Sequence, residues 1–167
     1  TMKKFILVLA ATVLAAVAVS AQPRAIGARL GWGAEVSYQH SLGVDNMLSA
    51  ELSFPGFAAV GAAATYDWLN PFNTAIPWNH KGEWNWYMGV GGGASYWFGG
   101  FLNFGVAGRI GVEYDFWFPL QLSFDWRPVI GPDIYFGGAA GDSETHVGFS
   151  GYGFYAGAIS LGVRYKF

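Results

Sequence analysis

The chain closes on Ile159-Ser160-Leu161-Gly162-Val163-Arg164-Tyr165-Lys166-Phe167, and the reading of these residues decides the fold class. Apolar or aromatic side chains stand at 159, 161, 163, 165 and 167, with Ser, Gly, Arg and Lys between them. Successive side chains of a strand point to opposite faces, so this segment has one greasy face and one polar face. A soluble edge strand can alternate too, but it rarely ends a chain with its greasiest face unpaired.

The same parity runs upstream. Ile26, Ala28, Leu30, Trp32, Ala34, Val36 and Tyr38 alternate with Gly27, Arg29, Gly31, Gly33, Glu35, Ser37 and Gln39. Leu48, Ala50, Leu52 and Phe54 alternate with Ser49, Glu51 and Ser53. A third run, over 57–68, puts Val60, Ala62, Ala64, Tyr66 and Trp68 on one face. Trp84, Trp86, Met88, Val90, Ala94, Tyr96 and Phe98 form a fourth apolar face before a turn at Gly99-Gly100. Leu102, Phe104, Val106, Ile110, Val112, Tyr114 and Phe116 form a fifth, opposite Asn103, Gly105, Arg109, Gly111, Glu113 and Asp115. Past Trp117-Phe118-Pro119, Leu120, Leu122, Phe124 and Trp126 oppose Gln121, Ser123, Asp125 and Arg127. The last strand spans about 148–167.

Repeated short strands with this parity describe an all-β chain, a transmembrane antiparallel up-and-down β-barrel with one face to lipid and one to a polar interior. The tally is seven, whereas bacterial single-chain barrels have an even number. Two repairs give eight strands. A bend at Gly31-Trp32-Gly33 can split the first run, which is the preferred reading, or 134–137 can add a strand. The breakers in 69–82 (Pro71, Pro77) and in 128–147 (Pro128, Pro132) mark these stretches as connectors or mostly loop. If the last strand descends to the periplasm, 117–119 and the 69–82 connector share its end, although periplasmic turns are normally short.

Composition agrees. The chain has 25 Gly, 8 Trp, 9 Tyr and 14 Phe, and such aromatics form girdles at the two membrane interfaces. Trp78, Trp84 and Trp86 are read as interface anchors before a sugar-stacking site. No later run is apolar for 18 residues, so membrane helices are excluded. With no cysteine there is no disulfide framework, and with no basic stripe there is no case for nucleic acid. At the start, Lys3-Lys4, an uncharged run of about 15 residues and Val19-Ser20-Ala21 have the make-up of a signal peptide over 1–21, too short to span a bilayer. The barrel domain is then 22–167, a single domain.

By parity the inward charges are Arg29, Glu35, Glu51, Arg109, Glu113, Asp125, Arg127 and Arg164. Four arginines face four carboxylates. A guanidinium bridges two carboxylates at once and stays charged when partly dehydrated. An eight-stranded barrel is just wide enough for its side chains to fill, so a balanced ion set reads as a hydrogen-bonded plug. A narrow gated channel for ions or small solutes through the same residues is the alternative. A lipid A-modifying enzyme is the third reading, resting on His40-Ser41, His80, Ser143 and His146, but these are ordinary strand-end and loop residues with no sign of an orienting third group. No catalytic, cofactor or metal residues are assigned; Gly89-Val90-Gly91-Gly92-Gly93 lies inside a strand and is not a phosphate loop.

Several segments carry a resemblance. Gly31 to His40, Gly111-Val112-Glu113-Tyr114-Asp115-Phe116, Pro119 to Pro128 and the closing Arg164-Tyr165-Lys166-Phe167 resemble a family of small eight-stranded outer-membrane β-barrels of anaerobic diderm bacteria. The terminal face of Ile159, Leu161, Val163, Tyr165 and Phe167 resembles the assembly signal of such barrels. The resemblance implies the bacterial outer membrane as location, lipid and lipopolysaccharide as surroundings, the barrel assembly machinery as partner and a monomeric state. It implies no activity or ligand.

Overall fold

The structure is a computed structural model that describes residues 22–72, 81–135, 146–150 and 158–167. The signal-peptide expectation for 1–21 lies outside them, as do Trp78, His80 and Ser143. Ten strands follow one another: β1 (Gln22–Leu30), β2 (Gly33–Ser41), β3 (Asn46–Pro55), β4 (Ala59–Pro71), β5 (Glu83–Trp97), β6 (Phe101–Asp115), β7 (Leu120–Trp126), β8 (Val129–Tyr135), β9 (His146–Ser150) and β10 (Ile159–Lys166).

Antiparallel pairing runs from β1 through β2, β3, β4, β5 and β6 to β7, then β10, and β10 returns to β1. That circuit is a closed eight-stranded barrel. Closure removes every edge from the ring, so all its ladders are internal. The strands are tilted. A hydrogen-bond path from Leu30 at one mouth passes through Leu161, Phe124, Val112 and Trp86 and reaches Asn70 at the other.

The first run does split. Gly31 and Trp32 make the turn between β1 and β2, with Gly31 N donating to Gly33 O at 3.1 Å. Because the two-residue turn preserves parity, the even positions from Ile26 through Tyr38 stay on the outer face. The β3–β4 hairpin turns at Gly56 and Phe57, whose φ of 53° and 55° are the paired positive values of a type I′ turn. Ala58 N closes it onto Pro55 O at 3.0 Å.

Two expectations are corrected. The described part of 128–147 is strand where loop is expected, with β8 over 129–135 and β9 beginning at 146. β8 continues β7 along β6 in unbroken register, Ile110 opposite Trp126 and Ala107 opposite Val129. Pro128 lacks only a donor; its carbonyl still accepts from Gly108 N at 3.0 Å. Of the closing segment the described parts are strand, β9 against β8 and β10 against β7, and 151–157 lie outside the described residues. Finally, the connector begins later than residue 69, because β4 pairs with β5 through Pro71 opposite Asn85. The strand ends that flank it, Pro71 and Glu83, lie at the barrel end where β10 finishes, together with the turns at 42–45 and 116–119.

β5 persists as a strand despite its glycines because it pairs over nearly its whole length with β4 on one side and β6 on the other. Ladder bonds on both edges offset the weak strand preference of glycine.

Candidate functional site

The lumen is the site, and it has two halves of different character. Toward the C-terminal end, inward positions carry long side chains. Arg29, Arg164, Tyr87, Gln39, Gln121 and Met47 are each at most 1% exposed. Toward the opposite mouth the same strands turn inward with Gly61 and Ala63 on β4, Gly93 and Ser95 on β5, and Ser53 on β3. The change from Tyr87 to Gly93 within one strand takes the lumen from filled to open.

Arg109 is the hub of the filled half. Its guanidinium lies 3.1 Å from Glu51, 3.2 Å from Asp67 and 3.2 Å from Asp125, carboxylates brought by β3, β4 and β7. It also sits 5.0 Å from the centroid of the Tyr87 ring. Asp125 accepts in addition from the Tyr87 hydroxyl at 2.8 Å and is ion-paired with Arg29. Arg29 pairs as well with Glu35, which Arg127 reaches at 2.8 Å. Asp67 accepts from Ser49 at 2.6 Å and from Thr65 at 3.1 Å. Each charge of this network therefore has partners that limit its desolvation cost.

Two glycines make this packing possible. A Cβ at Gly89 would land on the Asp67 carboxylate. One at Gly111 would collide with Asp125 and approach the Tyr87 ring to 2.8 Å.

All eight charges named by parity face the lumen, but a strict four-against-four pairing is corrected. Among the described residues, Arg164 has no carboxylate as a hydrogen-bond partner. It donates to Ser37 at 2.9 Å, Gln121 at 3.1 Å and Ser123 at 2.7 Å. Glu113 pairs instead with Arg24, which also reaches Asp115 at 3.3 Å and Gln39 at 2.8 Å.

Arg24 was hidden from parity by a register shift between Pro23 and Ala25, where one extra residue enters β1. Asp67 was legible, since it is odd-numbered in a run whose even positions are apolar. Asp115 is legible by the same parity, opposite the apolar face of its strand. Asp133 was masked by the reading of its segment as loop.

The open half is a cavity of about 470 Å³. Trp32, Trp97 and Phe101 wall it, and Glu35, Arg127 and Asp133 contribute its charges. Trp97 and Phe101 stack with centroids 5.3 Å apart and planes at 7°. Trp32 and Tyr135 extend the row at 5.5 Å from Trp97 and 5.2 Å from Phe101.

Of the histidines, His40 is buried and its Nδ1 lies 2.7 Å from the Tyr38 hydroxyl. It sits at the C-terminal end of the barrel, on a strand end rather than in the cavity. The outward residues of the closing strand, Ile159, Leu161, Val163 and Tyr165, are 38–53% exposed, and Phe167 is 69% exposed.

No protein-family model matches the chain, and no match is found among curated proteins or solved structures.

Proposed function

We propose that this chain is an outer-membrane β-barrel protein with a side-chain-filled lumen and a structural or surface-interaction role, without catalysis. One observation carries the reading: the barrel is inverted relative to a water-soluble globule. Its charged residues lie inside, with Arg29, Glu113, Asp125 and Arg164 at most 1% exposed. Its large apolar residues lie outside, with Val106 at 61%, Leu161 at 53% and Val90 at 48%. Soluble monomers rarely present a continuous apolar belt, and hydrocarbon is the solvent that such a belt fits.

Aromatic bands bound the belt. Trp84, Tyr114 and Phe116 cluster at the C-terminal end, with centroids 4.9 and 4.7 Å apart. Tyr96 and Phe98 are exposed near the other end. Trp86 and Tyr96 are ten positions apart on β5, about 33 Å along a strand and about 25 Å in height at a tilt of ~40°, the height of a bacterial barrel's apolar band.

The partners are outer-membrane lipid and lipopolysaccharide, with the assembly machinery reading Ile159, Leu161, Val163, Tyr165 and Phe167. The protein works as a monomer. The C-terminal end, which bears the 72–82 connector, faces the periplasm, and the open cavity faces outward. The resemblance to small barrels of anaerobic diderm bacteria supports the same location.

The cavity also favours a second reading, a narrow channel for ions or small solutes, because it leaves only half the lumen filled. Planar-bilayer recording separates the two. The plug reading expects no steady conductance from the wild type, and a steady ohmic current would replace it with the channel. Recovery of the protein in a soluble fraction, with none folded in the outer membrane, would remove both.

A further inference from the structure

We infer that the cavity at the mouth opposite the C-terminus binds a small organic cation, an ammonium group on an apolar or aromatic body, with Asp133 as its counter-ion. Asp133 is 1% exposed. Its Oδ1 accepts from the Asn103 side-chain amide, and its Oδ2 is buried without a hydrogen-bond partner. Among the described residues no ion pair reaches it.

The contrast with Asp125, which takes two arginines and a tyrosine hydroxyl, is internal to the same lumen. A buried carboxylate served by one neutral amide bears a desolvation cost that its own protein does not offset. A ligand that supplies a positive donor would offset it.

The rest of the cavity suits the body of such a ligand. Glu35 and Arg127 bind each other at 2.8 Å, so the two largely cancel and Asp133 sets the sign of the cavity. Trp97 and Phe101, stacked in a row with Trp32 and Tyr135, give it an aromatic wall that takes up apolar surface. A volume of about 470 Å³ is in the range that takes a small molecule. The space is lined on β3, β4 and β5 by the small side chains of Ser53, Ala63 and Ser95, so it is built into the strands. This inference concerns the folded barrel and holds whether or not the lumen conducts.

The test uses the full chain folded in uncharged maltoside micelles and three probes of one shape: phenethylammonium, 2-phenylethanol and 3-phenylpropionate. Binding is read from tryptophan fluorescence and from saturation-transfer NMR. The cation should bind at least about tenfold tighter than the neutral alcohol, the ratio expected of a hydrogen bond to a charged group, and the anion weakest. Asp133→Asn keeps the side chain's shape and should erase that preference while the alcohol binds as before. Trp97→Leu should weaken cation and alcohol together. Equal binding of cation and alcohol to the wild type, a preference for the anion (which would assign the site to Arg127), or no binding of any probe would each overturn the proposal. The wild-type comparison keeps it falsifiable if a variant fails to fold.

Discussion

Arg109 on β6 and Asp67 on β4 meet at 3.2 Å although β5 runs between their strands. They can do so because the residue of β5 paired with both is Gly89, which adds no side chain to the space they share. A three-strand stretch of wall thus presents one ion pair where a flat sheet with a side chain at the centre would keep its charges apart.

Gly89→Ala tests that relationship. Its methyl group would displace the Asp67 carboxylate and cost ~1–3 kcal/mol as overpacking. Gly92→Ala on the same strand points outward, where a Cβ would come no closer than 3.5 Å to Gly105 O, and should stay within about 0.5 kcal/mol of wild type. Urea unfolding from lipid vesicles measures both, and equal stabilities would contradict the packing described.

Removing the hub should hurt more. Arg109→Ala leaves Glu51 and Asp67 without their cation and strips Asp125 of one of two, a change that typically costs ~3–5 kcal/mol at a buried site. Water entering the lumen would lessen the loss and raise the leak through the barrel. The variant should therefore be less stable, leakier, or both; a variant equal to wild type on both measures would show that the network does not close the lumen.

The outer face follows different rules if it meets hydrocarbon. Val106 is 61% exposed in mid-strand, and Val106→Arg should cost roughly 2–4 kcal/mol in a bilayer. In vesicle folding titrations, the absence of any penalty would argue against lipid on that face.

The closing strand is expected to govern assembly. Tyr165 and Phe167 form an edge-on aromatic pair, centroids 5.5 Å apart, on the outer surface. Changing both to Ala should leave export intact and lower the amount of heat-modifiable protein in the outer membrane. Undiminished folded protein there would assign the signal elsewhere.

Parity did the work that the sequence could do alone. In a strand the facing of a side chain depends only on whether its number is odd or even, so Ile26 and Val106 could be sorted from Arg29 and Arg109 without knowing any neighbour. The turn at Gly31-Trp32 was legible for a related reason: two glycines flank one residue in an overlong run, and an even count of strands called for one more, by a break there or by a strand at 134–137.

What the tertiary structure decided were relations between strands. Local alternation holds no information on which carboxylate an arginine meets, because that depends on register and on barrel closure. Arg164 drew hydroxyls and an amide, and Arg24 entered the lumen through a bulge that shifts parity by one residue. Asp133 and the cavity above Glu35 arose the same way. Each inward residue there is ordinary in its own strand, and only a closed wall sets Ser53, Ala63 and Ser95 around one space, because the volume inside a barrel is a property of all its strands at once.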